Sequence, residues 1–528
     1  MESNDKIIAF AKQEAGDMSV EFHYKNEKVD GYSIIEEDGS CKVSASNARS
    51  CLYAIYHVLS GLPRGEFKAE FPIRGINAVE SLARHSEEQI RNLIDRMARW
   101  RMNTLVVHTA YGWNLHKQTI INECEKRGIE IVFYVYTSLA FLKNCGVEYF
   151  ATKEDGEPFY RTLECETRLC ISKEKGLAIL QQGCREYFKN ELTENGGILL
   201  CPADGMYICR CPACVNLSAI EQWEPVLEKS VNVLKEIKPR ASLESLIYVQ
   251  RYAVPVDMKT YHRLDRILFD IHRRYRWAAL GESHPEAGNS EYEYDTEAVL
   301  PTNMYLYKKL KDWRKAFDGA IYIHDNLMLQ GSMSCPQPNT TALLKDLRLY
   351  KLLGIQGVIY EAFGPGIGSF TSQIKTLADA MWDLNVEYIP SEIEKWCLNA
   401  KISTGALFFR KENNFPWGKF KGIYDDVVYA HMKNIADFYD NPSIQNCRVC
   451  VEHMFNFPDR FDILFVSFNL FKHLRRNGLL ELSKFTGTAI RFFEVTKLWD
   501  FMEVLKSPFE ETLALVKYIQ GNLTPRRG

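Results

Sequence analysis

A chain of 528 residues exceeds what one hydrophobic core usually supports, so two or three domains are expected, one of them long enough for a barrel of about 250 residues. A net charge of −3, with 25% charged and 46% hydrophobic residues, removes any electrostatic reason to expect nucleic acid or an acidic membrane as a partner. The start "MESNDKIIAF" lacks a basic segment followed by an apolar run, and no window approaches roughly 18 apolar residues, so the sequence predicts neither signal peptide nor membrane span and a cytoplasmic location.

Residues 1–70 read as a small α/β module: "GYSIIEED" and "CKVSAS" as strands, then "NARSCLYAIYHVLSGL" as a helix ending at Gly61. From "FPIRGINAVES" onward, short apolar strands alternate with amphipathic helices, the pattern of βα units. Eight strands are predicted: "IRGINAV", "TLVVHTA", "IEIVFYV", "GGILLCPA", "SLIYVQ", "ILFDIH", "GAIYIHD" and "QGVIYEA". That number within 71–375 predicts a (β/α)8 TIM barrel, with a doubly wound open sheet as runner-up. No glycine-rich phosphate turn follows the first strand, which weakens the open nucleotide-binding sheet. "SEEQIRNLIDRMARW" is a helix with Ser86 as N-cap, and "TTALLKDLRLYKLLG" one ending at Gly354. Helical periodicity dominates 376–528, a C-terminal helical domain whose faces could pack on the barrel or on a second subunit.

Barrel chemistry sits at the C-terminal ends of the strands. The polar residues assigned there are Arg74, Asn77 and Glu80, then His108, then Tyr134 and Tyr136, then Asp204. They continue with Gln250 and Arg251, His272 and Arg273, the run His324, Asp325 and Asn326, and last Glu361, with Trp113 and Trp277 in adjoining loops. Paired carboxyls are what glycoside hydrolysis requires: one protonates the leaving oxygen and the other acts on the anomeric side. Asp204 and Glu361 are the first candidates and Asp325 the third. Asp204 reads equally as an Asx turn, and Glu361 has an ion pair with Arg74 as its structural alternative. Glu282 and His284 fall in a long loop that reads as a lid.

Cys209, Cys211 and Cys214 form a C-x-C-x2-C pattern with Cys201 upstream. They read either as a structural tetrathiolate zinc site, with no open position for catalysis, or as buried thiols with Cys201 in the core. "NCRVCVEH" (Cys447, Cys450, His453) has ligand-like spacing in a helical stretch and reads as core. Fifteen cysteines without framework spacing suit a reducing compartment.

The opening "FPIRGINAVESLARHSEEQIRNLIDRMARWRMNTLVVH" resembles the start of glycosidase barrels related to β-hexosaminidases and α-glucuronidases. "ADGMYICRCPACVNL", "NMYLYKKLKDWRKAFDGAIYIHDN" and "LRLYKLLGIQGVIYEAFGPG" resemble the bacterial group known as domain of unknown function 4838, which includes glycoside hydrolase family 163, endo-β-N-acetylglucosaminidases acting on complex N-glycans. The resemblance implies that Arg74 binds sugar hydroxyls, that Asp204 stands at the catalytic-acid position and that Glu361 is the acidic end of the last strand. Relatives that use the substrate's acetamido group carry adjacent acids after the fourth strand, whereas this chain has Asp204-Gly205.

The expectation is a glycoside hydrolase acting on an oligosaccharide, most simply of β-N-acetylglucosaminidase type, with Asp204, Glu361 and Asp325 as catalytic candidates. Arg74, His108, Trp113, Tyr136, Glu282, His284, His324 and Asn326 are the expected substrate-binding residues. No catalytic cofactor is expected. An α-glucuronidase-like exo-enzyme and a non-catalytic carbohydrate-binding barrel are the alternatives.

Overall fold

The computed structural model describes residues 3–389, apart from 79–85, 110–112, 144, 159–167, 192–195, 203–207, 249–250, 272–273, 275–277, 283–302, 328–339 and 362–366, together with Ala430 and Asn434. The expected C-terminal helices and Cys447, Cys450 and His453 lie outside these residues, as do Asp204, His284, Glu80, Gln250, His272, Arg273 and Trp277.

The chain begins with α1 (Ser3–Ala15) and a four-stranded sheet of β1 (Val20–Tyr24), β2 (Gly31–Glu37), β3 (Ser40–Ala45) and β4 (Glu66–Lys68), in the order β1-β3-β2-β4. Helix α2 (Ala48–Leu59) packs on that sheet, its first turn capped by the Asn47 side chain.

Eight parallel strands then close on themselves: β5 (Ile73–Ala78), β6 (Thr104–His108), β7 (Glu130–Tyr136), β8 (Gly197–Cys201), β9 (Ser242–Ile247), β10 (Arg266–Asp270), β11 (Ala320–Asn326) and β12 (Gly357–Glu361). The protein is a (β/α)8 barrel. Around it lie α3 (Glu87–Arg99), α4 (Trp113–Glu125), α5 (Thr137–Phe141), α6 (Glu174–Glu191), α7 (Ala219–Ile237), α8 (Asn303–Ala316), α9 (Thr340–Leu352) and α10 (Ile367–Ala380). Two capping boxes, Ser86 with Gln89 and Ser218 with Glu221, fix where α3 and α7 begin. Gly354, at φ +70°, ends the α9 segment in a conformation that favours glycine. A domain break after residue 375 would cut α10, which continues to Ala380. Among the described residues no helix is long and apolar enough to cross a membrane.

Side chains alternate between the lumen and the helix layer along each strand. Val106, Val132, Leu199, Leu246, Leu268 and Ile359 fill the lumen's middle. Beneath them lies a polar floor: Arg266 pairs with Glu244 at 2.9 Å and with Glu130, and Tyr322 donates a hydrogen bond to Glu244. Burial pushes the Glu244 carboxyl up to about 7 despite the Arg266 charge.

Outside the strand ring, at the end opposite the mouth, Asp30 joins the N-terminal module to the barrel. Its carboxylate accepts from Arg49 Nη2 at 2.8 Å, Arg74 Nη2 at 2.5 Å and Asn103 Nδ2 at 3.0 Å. The two arginines hold that carboxyl far below the usual range although burial opposes this.

Candidate active site

The strand ends bring His324, Asp270, Glu361 and Asn77 together at the mouth of the barrel. Register makes this possible: His324 on β11 lies level with Asp270 on β10, and Glu361 on β12 lies level with Asn77 on β5. His324 Nδ1 is hydrogen-bonded to Asp270 Oδ2, and Nε2 lies 3.0 Å from both Glu361 Oε2 and Asn77 Nδ2.

Burial disfavours an imidazolium here, yet the Asp270 and Glu361 carboxylates raise His324 to about 10, so the ring is a cation at neutral pH. The contacts at Nε2 compete. A Glu361 carboxylate pairs with a protonated Nε2, whereas an amide N–H of Asn77 needs an unprotonated one.

Asp270 and His324 are buried, while the Glu361 side chain keeps 13% of its surface exposed. Glu361 is therefore the carboxylate of this cluster that a ligand in the mouth can reach. The neighbouring wall is aromatic: His108 stacks on Tyr134 with ring centres 3.8 Å apart, and Tyr136 meets Tyr134 edge-on. Burial, and then the His324 charge, keep the His108 pKa well below the ordinary histidine value.

Other expected site residues lie elsewhere. Arg74, the second residue of β5, lies at the end opposite the mouth, and since Ile73 and Asn77 on either side face the lumen it points outward. Its guanidinium is fully buried and donates to Asp30 and to the backbone carbonyls of Phe71 and Arg101, which leaves it remote from any sugar in the mouth. Glu361 accordingly pairs with His324 and not with Arg74. Asp325 follows His324 and so points the opposite way, into the helix layer, where it meets Arg274 at 3.3 Å beside Asp346 of α9. This position removes it from the catalytic candidates. Trp113 opens α4 and is buried edge-on against Phe133, in the layer between strands and helices and not in a pocket. Glu282 accepts from Lys345 at 2.7 Å and from the backbone N–H of Ala279, an exposed contact on α9. Of Asn326 only the backbone, the last residue of β11, is described. Arg251 and Arg168 line a small cavity between the ends of β7 and β8 and helix α7.

Asp270 was not singled out from the sequence, although its strand parity with Leu268 was a usable signal. The cysteine assignment changes as well. Cys201 Sγ faces the lumen and donates to Leu199 O at 3.6 Å, whereas Cys170 joins Cys209, Cys211 and Cys214.

No family model matches the sequence, and no curated protein matches it. Among solved structures, the chain is similar to a GH138 enzyme targeting pectin rhamnogalacturonan II (12% identity, 98% of this chain and 91% of that one, TM-score 0.49). It is also similar to the Vibrio harveyi GH20 exo-β-N-acetylglucosaminidase (12% identity, 77% and 72%, TM-score 0.45). A third is the Clostridium perfringens GH89 enzyme in complex with GlcNAc-α-1,4-galactose (10% identity, 93% and 65%, TM-score 0.48).

Proposed function

We propose that the protein is a glycoside hydrolase whose reaction takes place in the barrel mouth at Glu361. The observation that carries this reading is a partly exposed carboxylate at the last strand end, held by a buried imidazolium that a second carboxylate fixes from behind. Paired with the His324 imidazolium, Glu361 suits the anomeric side of the bond, as nucleophile or as base for water. The proton for the leaving oxygen then comes from another group, and Asp204, after β8, is the residue proposed for it. His324 orients the Glu361 carboxylate, and Asp270 sets the ring's orientation and charge. The His108–Tyr134–Tyr136 wall supplies the apolar face against which a sugar ring packs.

The resemblance noted in the sequence favours an N-acetylglucosamine-containing oligosaccharide as substrate. The test is hydrolysis of aryl N-acetylglucosaminides, glucuronides, glucosides and galactosides and of free N-glycan oligosaccharides, with Asp204→Asn and Glu361→Gln in parallel. Cleavage of one class that both variants abolish supports the assignment. Turnover that survives both substitutions places the chemistry elsewhere.

A further inference from the structure

Four cysteines converge where two connections on the mouth side of the barrel cross. Cys170 lies between α5 and α6, and Cys209, Cys211 and Cys214 lie between β8 and α7. Their sulfur atoms all fall within 4.8 Å of one another, and none of the four is in a disulfide. We propose that Cys170, Cys209, Cys211 and Cys214 bind one structural zinc ion, which fastens the β7–α6 connection to the β8–α7 connection.

The spacing is that of a metal shell. A zinc–sulfur bond of about 2.3 Å in a tetrahedron places the sulfur atoms about 3.8 Å apart. Cys170 Sγ lies 3.7 Å from Cys211 Sγ and 4.0 Å from Cys214 Sγ. Borderline-soft zinc favours thiolates, and four of them fill its shell, so the ion has no open position for substrate or water and acts on structure alone.

The surroundings are built to hold such a shell. The Thr152 N–H points at Cys209 Sγ at 3.5 Å, and Ser172 Oγ lies 3.1 Å from Cys170 Sγ and 3.7 Å from Cys211 Sγ, donors that suit thiolates. Gln222, in the first turn of α7, braces the cysteine loop from behind. Its Nε2 donates to the carbonyls of Cys209 and Cys214, each at 3.1 Å, and its Oε1 accepts from the Cys209 N–H at 2.8 Å. The two connections are also joined by the backbone, since Arg210 N donates to Thr152 O at 2.8 Å. Binding is balanced as Zn2+ plus four thiols giving a tetrathiolate and four released protons, so the ion is held less tightly in acid.

The test measures metal in the full-length protein purified under reductant without chelator. Elemental analysis should find one zinc per chain. The Cys170→Ser variant should lose it, and Cys201→Ser, a change in the cysteine that faces the lumen, should keep it. The reverse pattern would overturn the assignment. Should Cys170→Ser fail to fold, cobalt(II) exchanged into the wild-type chain decides: intense visible bands of a tetrahedral thiolate complex are expected. Folded wild-type protein that carries no zinc and takes up cobalt without those bands would refute the proposal, as would a disulfide among these cysteines in the freshly purified reduced chain. None of these readouts depends on hydrolytic activity.

Discussion

Glu361 Oε2 lies 3.0 Å from His324 Nε2, across the seam where the last two strands of the barrel meet. Because the imidazole is held on its other side by Asp270, the carboxylate at the mouth is positioned by a chain of charges that starts in the buried wall. Glu361→Gln keeps the shape and removes the charge. It is expected to lower kcat/KM by about 10²–10⁴-fold while leaving the far-ultraviolet circular dichroism spectrum unchanged. Wild-type kinetics in this variant would strike Glu361 from the mechanism.

The charge on His324 also predicts a pH dependence of stability. Its pKa is raised from 6.5 to about 10 on folding, so the stabilisation is complete below about pH 6.5 and is lost as pH rises through about 10. Denaturant midpoints should therefore fall steadily between those limits. Asp270→Asn removes one anion, lowers the imidazole pKa and flattens that slope. Nitrogen-15 NMR of the ring reports the titration directly, and an unchanged His324 titration in Asp270→Asn would refute the pairing.

Arg74, outside the strand ring at the end opposite the mouth, provides a contrast with Glu361. Arg74→Ala leaves Asp30 buried with one arginine fewer, which should cost about 3–5 kcal/mol of stability. Since the side chain lies far from the mouth, KM of the protein that remains folded should be unchanged. A raised KM at preserved stability would return Arg74 to the substrate.

Gly75 tests how tightly the barrel closes. A Cβ there would meet Thr104 O at 2.0 Å and Ile359 Cδ1 at 2.8 Å, a clash with neighbouring backbone that a rotamer change cannot relieve. Gly75→Ala should reduce soluble yield sharply or lower Tm by about 10 °C or more, given that a 1 kcal/mol change moves Tm by only a few degrees. A normal melting curve would mean that β5 and β6 have room to part.

All eight barrel strands were legible as short apolar runs, because parallel strands buried on both faces leave that mark. The exception in register is instructive. β9 begins at Ser242, but Glu244, a carboxylate in the polar floor, interrupts its apolar run, so the sequence reading starts the strand at Ser245. His108, Tyr136, His324 and Glu361 reach the mouth because their distance from the strand end could be judged. Asp325 and Arg74 could not be placed that way, since one position reverses a side chain's direction and a strand's first residues lie at its far end. Cys170 carried no local signal at all: it stands 41 positions from Cys211, and only the folded connections bring the two together.

After α10 the chain returns to its beginning. Met381 O accepts from the N–H groups of Glu70 and Phe71, and Trp382 packs between Tyr32 and Tyr53 with Arg74 and Arg101 over its ring. The aromatic core of the first module is thus completed by a residue made more than three hundred positions later. During synthesis the faces of Tyr32 and Tyr53 that Trp382 covers stay open until the barrel has been made. The clasp makes the first and last parts of this unit mature together, and a nascent chain halted before Trp382 presents an unfinished surface for chaperones to hold.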